Sequence, residues 1–436
     1  MPDKDRSSTF FNNTVITLFT RVLTALAGFS ISVILSRRLG PQGRGGYALL
    51  TTFPMLVTDL FSFGMGAANT YLVGRYKDRL QAIACNAFVV SMIMGIPTAL
   101  IISSAVYWEM FDAVSELDTT GFYFVVFLIP LLLLFSYLAG VLLGLQELIK
   151  RNLLIIIQTG GVAAVLTLAF FLAEVSLGMA VVTWGISWCV VTALAMYWIY
   201  RRISFRVTLE KPLLKEGLRF GIKNYFGQLA LSFTYRLDIF IIGYLLETSA
   251  VGYYVVAVSF AEIGWYISHA TGFVLFPTIA SSEDVKNDRM TILVAKGSVL
   301  ATLAFAICWF ILGDWLIIFF YGGEFSPAIL PLHLLLPGIV IGSIPRVLNS
   351  HLMGKGYPGI GAYSAFFALI TMTALDFLLV PVWGIAGAAV ASSIAYTVYA
   401  AVILRGFLLT SGQKLTDMII RKSDIVSLLR VCRVLE

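Results

Sequence analysis

The sequence predicts an all-α integral membrane protein, with about twelve transmembrane helices arranged as two six-helix lobes. Three observations carry this reading: composition, the length of the apolar runs, and an internal echo near 206 residues. Of the 436 residues, 59% are hydrophobic and 12% charged, against roughly 45–50% and about 25% in a soluble globular chain. Mean hydropathy is +0.90. A water-facing surface of this size needs more charge than the chain carries, which leaves the bilayer as solvent and excludes a soluble enzyme, a coiled coil and a disordered chain.

A spanning helix needs about 20 mostly apolar residues. Twelve such runs fall near 13–36, 45–72, 81–107, 121–145, 152–173, 177–200, 217–245, 250–279, 290–320, 328–353, 360–380 and 384–408. With the N-terminus cytoplasmic, the inner connections collect most of the thirty basic residues, while the outer loop from Glu109 to Asp118 carries acids and no base. Such a bias sets orientation, so both termini are expected in the cytoplasm. The net charge of +6 is then a topology signal, and nucleic acid is not an expected partner. The first run carries Arg21 and lacks a small-residue cleavage site, so no cleavable signal peptide is expected.

The segment from Leu39 to Tyr47, with its Gly46-Tyr47 pair, reappears as Leu245 to Tyr253 with Gly252-Tyr253. Gly178-Met179-Ala180 echoes Gly384-Ile385-Ala386 at the same offset, and Leu142-Leu143-Gly144 resembles Leu352-Met353-Gly354. A shared offset supports a 6 + 6 duplication. Six is even, so the halves keep one orientation and form parallel repeats. The expected organisation is an N-terminal lobe 1–205, a C-terminal lobe 206–410 and a basic tail 411–436 that is either an amphipathic surface helix or disordered.

Charge inside the spans is the functional signal. Arg21, Asp59, Arg236, Asp238, Glu262 and Arg346 all lie within apolar runs. Six such groups facing lipid would cost about 15–20 kcal/mol on insertion scales, so they are expected to be paired, neutralised or wet. Steps of three and four place Thr14, Thr17, Arg21 and Thr24 on one face of span one. The same spacing aligns Thr52, Asp59, Ser62, Gly66 and Thr70 in span two, Asn224, Gln228, Ser232 and Arg236 in span seven, and Glu262, Trp265, Tyr266 and His269 in span eight. Four polar stripes predict a hydrophilic lumen, against the alternative of interhelical hydrogen bonding. Asp238 falls off the face of Arg236 and is expected to pair within its own lobe. Arg346 neighbours Pro331, Pro337 and Pro345, which argue against a regular helix there; the alternative is a kinked packing helix with Arg346 reaching the inner headgroups. Asp376 and Asp314 lie close to the expected outer ends of their spans and are read as interfacial.

The Leu-Ser-Arg-Arg-Leu-Gly-Pro turn (35–41), Gly46-Tyr47, Arg236-Leu237-Asp238 and the run Pro381 to Ala389 resemble the polysaccharide-biosynthesis flippases. These belong to the multidrug/oligosaccharidyl-lipid/polysaccharide exporter (MOP) superfamily, and the likeness covers residues 10–408. The resemblance implies a MATE-like fold and translocation of undecaprenyl-diphosphate-linked oligosaccharide to the outer leaflet of a bacterial plasma membrane, for O-antigen, capsule or exopolysaccharide. It implies membrane lipids around the protein, with a polysaccharide polymerase and glycosyltransferases as partners. Substrate-binding candidates are Arg21, Arg236, Arg346, Trp265, Tyr266, Asn224 and Gln228. A guanidinium suits diphosphate because its planar fork makes paired charge-assisted hydrogen bonds. Asp59, Glu262 and Asp376 are candidates for proton or sodium coupling. The rival readings are a cation-coupled multidrug or metabolite antiporter of the same superfamily and a membrane sugar polymerase or ligase.

No cofactor or metal is expected. Gly354 to Gly359 fits GxGxxG but follows a membrane span and contains proline. No Walker motif occurs, and His269, His333 and His351 share no ligand spacing. The four cysteines form no CxxC pair.

Overall fold

The computed structural model describes residues 2–108, 119–172, 174–203, 209–266, 268–269, 271–272, 279, 286–421 and 424. Among the described residues the chain is helical and contains no strand. It divides into two compact units, Met1–Leu229 and Ala230–Glu436. The first unit holds α1 (Pro2–Phe61), α2 (Met65–Arg75), α3 (Leu80–Tyr107), α4 (Thr119–Phe127), α5 (Ile129–Gly144), α6 (Leu148–Leu172), α7 (Leu177–Tyr200) and most of α8 (Lys211–Thr234). The second holds α9 (Leu237–Leu245), α10 (Thr248–Glu262), α11 (Lys286–Tyr321), α12 (Ile329–Gly354), α13 (Pro358–Trp383) and α14 (Ile385–Ser411).

Nine described helical stretches are long and apolar enough to cross a membrane. Three of the twelve expected runs do not stand out separately, each for a local reason. Runs one and two merge into α1, which turns at Gly40 where φ is 64° and ψ −171°, a conformation that favours glycine. Run seven is interrupted at Arg236, with φ −142° and ψ −12°. Run eight turns at Ile263 and Gly264, and part of its remainder, 273–278, lies outside the described residues. Run two breaks once more at Phe63 and Gly64, both at positive φ. A Cβ on Gly64 would come within 2.5 Å of the Gly221 carbonyl oxygen, so only glycine permits this approach between α1–α2 and α8.

The internal echo reappears as helix starts. Leu80 and Lys286, Leu148 and Pro358, and Leu177 and Ile385 open helices 206, 210 and 208 residues apart. In the first unit α1 packs along α6, and α5 is flanked by α2, α3 and α7. Small residues let backbones meet there, as membrane helices require. A Cβ on Gly140 would lie 2.0 Å from the Gly66 carbonyl oxygen. Thr70 donates to the Gly140 carbonyl at 2.9 Å and Asn69 to the Tyr137 carbonyl at 3.2 Å. In the second unit α14 packs on both α12 and α13. Outward positions such as Phe171 (77% exposed), Ile311 (69%) and Leu378 (66%) present apolar surface of the kind a bilayer covers.

The proline argument against a regular helix needs correction. α12 runs unbroken from Ile329 to Gly354 with Pro337 and Pro345 inside it. Side chains donate to carbonyls one turn before each proline, as membrane helices with proline often allow: Ser393 to Leu334 O at 2.7 Å, before Pro337, and Arg346 to Gly342 O, before Pro345. Beyond α14 the chain forms a short 3₁₀ turn, Leu415–Asp417. Met418 packs against the core of the second unit, and Asp424 accepts a 2.8 Å hydrogen bond from the buried Lys296. The rest of the expected tail helix, 425–436, lies outside the described residues.

Candidate functional site

Arg346 is the most elaborately held charge of the second unit. Its guanidinium lies 3.4 Å from the centroid of the Trp265 ring and 5.6 Å from that of Tyr235. It donates to Tyr235 Oη at 3.1 Å and to His269 Nε2 at 3.2 Å. Trp265 is buried and anchored on the Ile339 carbonyl, so its ring face is a platform for the cation. Tyr396 closes the group, with ring centroids 5.0 Å from Trp265 and 5.9 Å from Tyr235. Among the described residues no carboxylate lies within 4.0 Å of Arg346. A half-buried guanidinium fixed by aromatics and neutral acceptors keeps its charge available to an anion.

Arg236 is arranged differently. It pairs with Glu262 at 3.5 Å, with side-chain exposures of 42% and 25%. The contact is a single approach at the long end of the hydrogen-bond range. Asp238 is buried within the second unit, as expected. It accepts from Tyr254 Oη at 2.6 Å, from the Ile239 amide at 2.8 Å and from Ser392 Oγ at 3.4 Å. Its place in the first turn of α9 also suits a negative charge.

Asp376 departs from expectation. Placement near a span end argues for an interfacial carboxylate, yet the residue is fully buried, because α13 packs there against α9 and α14. Neither carboxylate oxygen finds a hydrogen-bond partner among the described residues. It lies within electrostatic reach of Asp238 and Tyr254. Asp314, by contrast, is half exposed and meets His333 at 3.0 Å.

In the first unit Asp59 lines a pocket of about 480 Å³ with Thr58, Thr70, Ser136, Arg151 and Trp188. α1, α2, α5, α6 and α7 all contribute to it. Arg21 is exposed on α1 and lies within electrostatic reach of Arg151. Asn152 donates to Thr17 Oγ1 at 3.1 Å, fixing α6 beside the turn of α1 that precedes Arg21. Gln228 is exposed on α8 and Tyr266 is exposed beside Trp265. The Asn224 side chain lies outside the described residues.

The structure therefore groups the expected residues within units: Arg346 with Trp265, Arg236 with Glu262, and Asp59 with the pocket near Arg21. Sequence reasoning missed Arg151 and Trp188. Arg151 sits at a span end, where a basic residue reads as a topology charge, and Trp188 reads as lipid-facing packing. Tyr396, a companion of Arg346, was likewise unmarked, since aromatic residues are common throughout the chain.

These two helical units with interrupted spans have the fold of MOP-superfamily membrane transporters. A multidrug-resistance MATE transporter in an inward-facing conformation aligns with a TM-score of 0.75 at 15% identity, covering 92% of this chain and 98% of the other. The lipid II flippase MurJ, in its inward closed conformation, aligns with a TM-score of 0.76 at 14% identity, covering 94% and 89%. At the level of sequence, the family model described as polysaccharide biosynthesis protein matches residues 10–283, and the chain belongs to that family. A probable low-salt glycan biosynthesis flippase of Haloferax volcanii, Agl15, is 25% identical over 210 residues, 46% of this chain and 44% of that protein. The chain thus aligns with less than half the length of this curated relative.

Proposed function

We propose that the protein is a flippase that carries the head of a lipid-diphosphate-linked oligosaccharide across a membrane, from the inner to the outer leaflet, by alternating access. Family membership and the MurJ-like fold support this reading. The observation that carries it is Arg346, a guanidinium seated on Trp265 and Tyr235 with no described carboxylate to neutralise it. A polyprenyl tail is at home in hydrocarbon, whereas a diphosphate is not. The protein's task is to supply fixed cations and hydroxyl-binding groups to the head alone. Arg346 would hold phosphate oxygens and Arg236 would exchange Glu262 for the substrate anion; Arg21 remains a candidate for anion contact within the first unit. Cytoplasmic termini, a bacterial plasma membrane and cooperation with a polymerase and glycosyltransferases complete the proposal.

In liposomes carrying a fluorescent lipid-diphosphate saccharide, Arg346→Ala should slow flipping about ten- to a hundredfold, the worth of a hydrogen bond to a charged group. Arg346→Lys should recover only part of the rate, because ammonium lacks the planar fork. Wild-type flipping by Arg346→Ala would refute the assignment.

Asp376 supports coupling to an ion gradient. A buried carboxylate without a hydrogen-bond partner is costly as a bare anion, and a proton or sodium ion relieves that cost. Asp376 is therefore the coupling candidate of choice over Glu262, which has Arg236, and Asp59, which lines the pocket. The same observation fits a cation-coupled antiporter. Export of a soluble cation that persists when lipid-linked sugar synthesis is blocked would select that alternative.

A further inference from the structure

We propose that the pocket within the first unit is a saccharide subsite that receives sugar residues of the transported head, separate from the phosphate contacts of Arg346. The inference rests on the flippase reading above and adds a site for the glycan itself. Its volume, about 480 Å³, falls in the range of roughly 300–1,000 Å³ typical of small-ligand sites.

The lining chooses the ligand class. Asp59 and Arg151 bring one negative and one positive side chain to the same pocket, and Thr70 and Ser136 add hydroxyls. A diphosphate would meet the Asp59 carboxylate, and a cationic drug would meet Arg151. Neutral hydroxyl groups satisfy both, because each can donate to the carboxylate and accept from the guanidinium. Trp188 adds an indole held edge-on against Phe135, with ring centroids 5.0 Å apart at 75°, and indole pairs an apolar face with a polar N–H.

The pocket is also built to stay open at a fixed width. Gly66 and Gly140 lie on its wall at the α2–α5 backbone contact, and Thr70 ties α2 to the Gly140 carbonyl. Arg151 is placed by the adjacent Asn152–Thr17 bond.

The test uses the full chain in nanodiscs and two probes. The first is a panel of free disaccharides without lipid or phosphate, with neutral, N-acetylated and uronic-acid members, read by saturation-transfer NMR. The second is a sugar-free short polyprenyl diphosphate, read by calorimetry. At least one disaccharide should bind saturably; Asp59→Asn should weaken it about tenfold or more, as expected for loss of a bond to a charged group, and Trp188→Ala should weaken it by removing the aromatic face from the lining. Both variants should bind the polyprenyl diphosphate as the wild type does, whereas Arg346→Ala should lose that probe and keep the disaccharide. Failure of every disaccharide to bind, or undiminished binding by both pocket variants, would overturn the saccharide subsite. Failure of the polyprenyl diphosphate to bind the wild type would instead strike the flippase reading, so the two are separable. Thermal unfolding of each variant shows that it is folded before binding is compared.

Discussion

The two units solve the problem of polar groups in a membrane protein in opposite ways. In the second, each charge is positioned by protein partners: Asp238 takes bonds from Tyr254, Ile239 and Ser392, Arg236 pairs with Glu262, and the half-buried Arg346 lies on Trp265. In the first, Asp59 and Arg151 share a pocket with hydroxyls and an indole. A duplicated helical plan therefore does not duplicate the chemistry. The second unit fixes its charges on individual protein partners, whereas the first gathers two around one pocket. Asp376 is the exception within the second unit, buried without a described hydrogen-bond partner.

The largest effect is expected where the pocket wall depends on backbone contact. Gly140→Val would drive side-chain atoms into the Gly66 carbonyl, where even a Cβ would lie at 2.0 Å. Overpacking costs about 1–3 kcal/mol where neighbours can move, and here the neighbour is backbone. Loss of folded protein in detergent is expected, measured by size-exclusion yield and thermal unfolding. Gly178→Ala, whose Cβ would meet nothing within 4 Å, should stay within about 0.5 kcal/mol of wild type. Equal behaviour of the two variants would break the argument that glycine apposition builds the first unit.

Next comes Asp376→Asn. Removing an ionisable carboxylate from a buried site should raise thermal stability without sodium, abolish any stabilisation by sodium, and uncouple flipping from the proton or sodium gradient. A variant that retained gradient dependence would place coupling elsewhere and erase the contrast drawn for this residue.

The smallest effect belongs to the tail. Asp424 sits below the ordinary aspartate range because Lys296 and then the Arg421 amide hydrogen-bond to its carboxylate. A depressed folded value means the attachment is fully present above the ordinary aspartate range. It is lost as pH falls through that depressed value. At neutral pH Asp424→Asn should speed amide exchange around Leu415–Arg421 and leave the core of the second unit unchanged. Exchange that does not respond would show that Met418 packing alone holds the segment.

Much of the fold was legible because apolar length acts locally along the chain. The repeat could be read from Gly-Tyr turns, and the isolation of Asp238 from helical angles. The breaks were harder. Phe63-Gly64 carries no proline, and its turn is fixed by Gly221, distant in sequence. Prolines misled in α12, since Ser393 and Arg346 donate to carbonyls one turn before Pro337 and Pro345. Asp376 looked interfacial by position and is buried by α9 and α14. Arg151 resembled a topology charge and lines the pocket.

The sequence by itself determined the solvent of this protein, the number and approximate ends of its apolar runs, its two-fold repetition, and which charged residues enter the spans. Those properties follow from local transfer free energies and periodicity. Only the tertiary structure decided who meets whom: Arg236 with Glu262, Arg346 with Trp265, Asp59 with Arg151 and Trp188. Partnership between spans depends on where helices break and how closely glycines let them approach, and neither distance is written in the spacing along one helix.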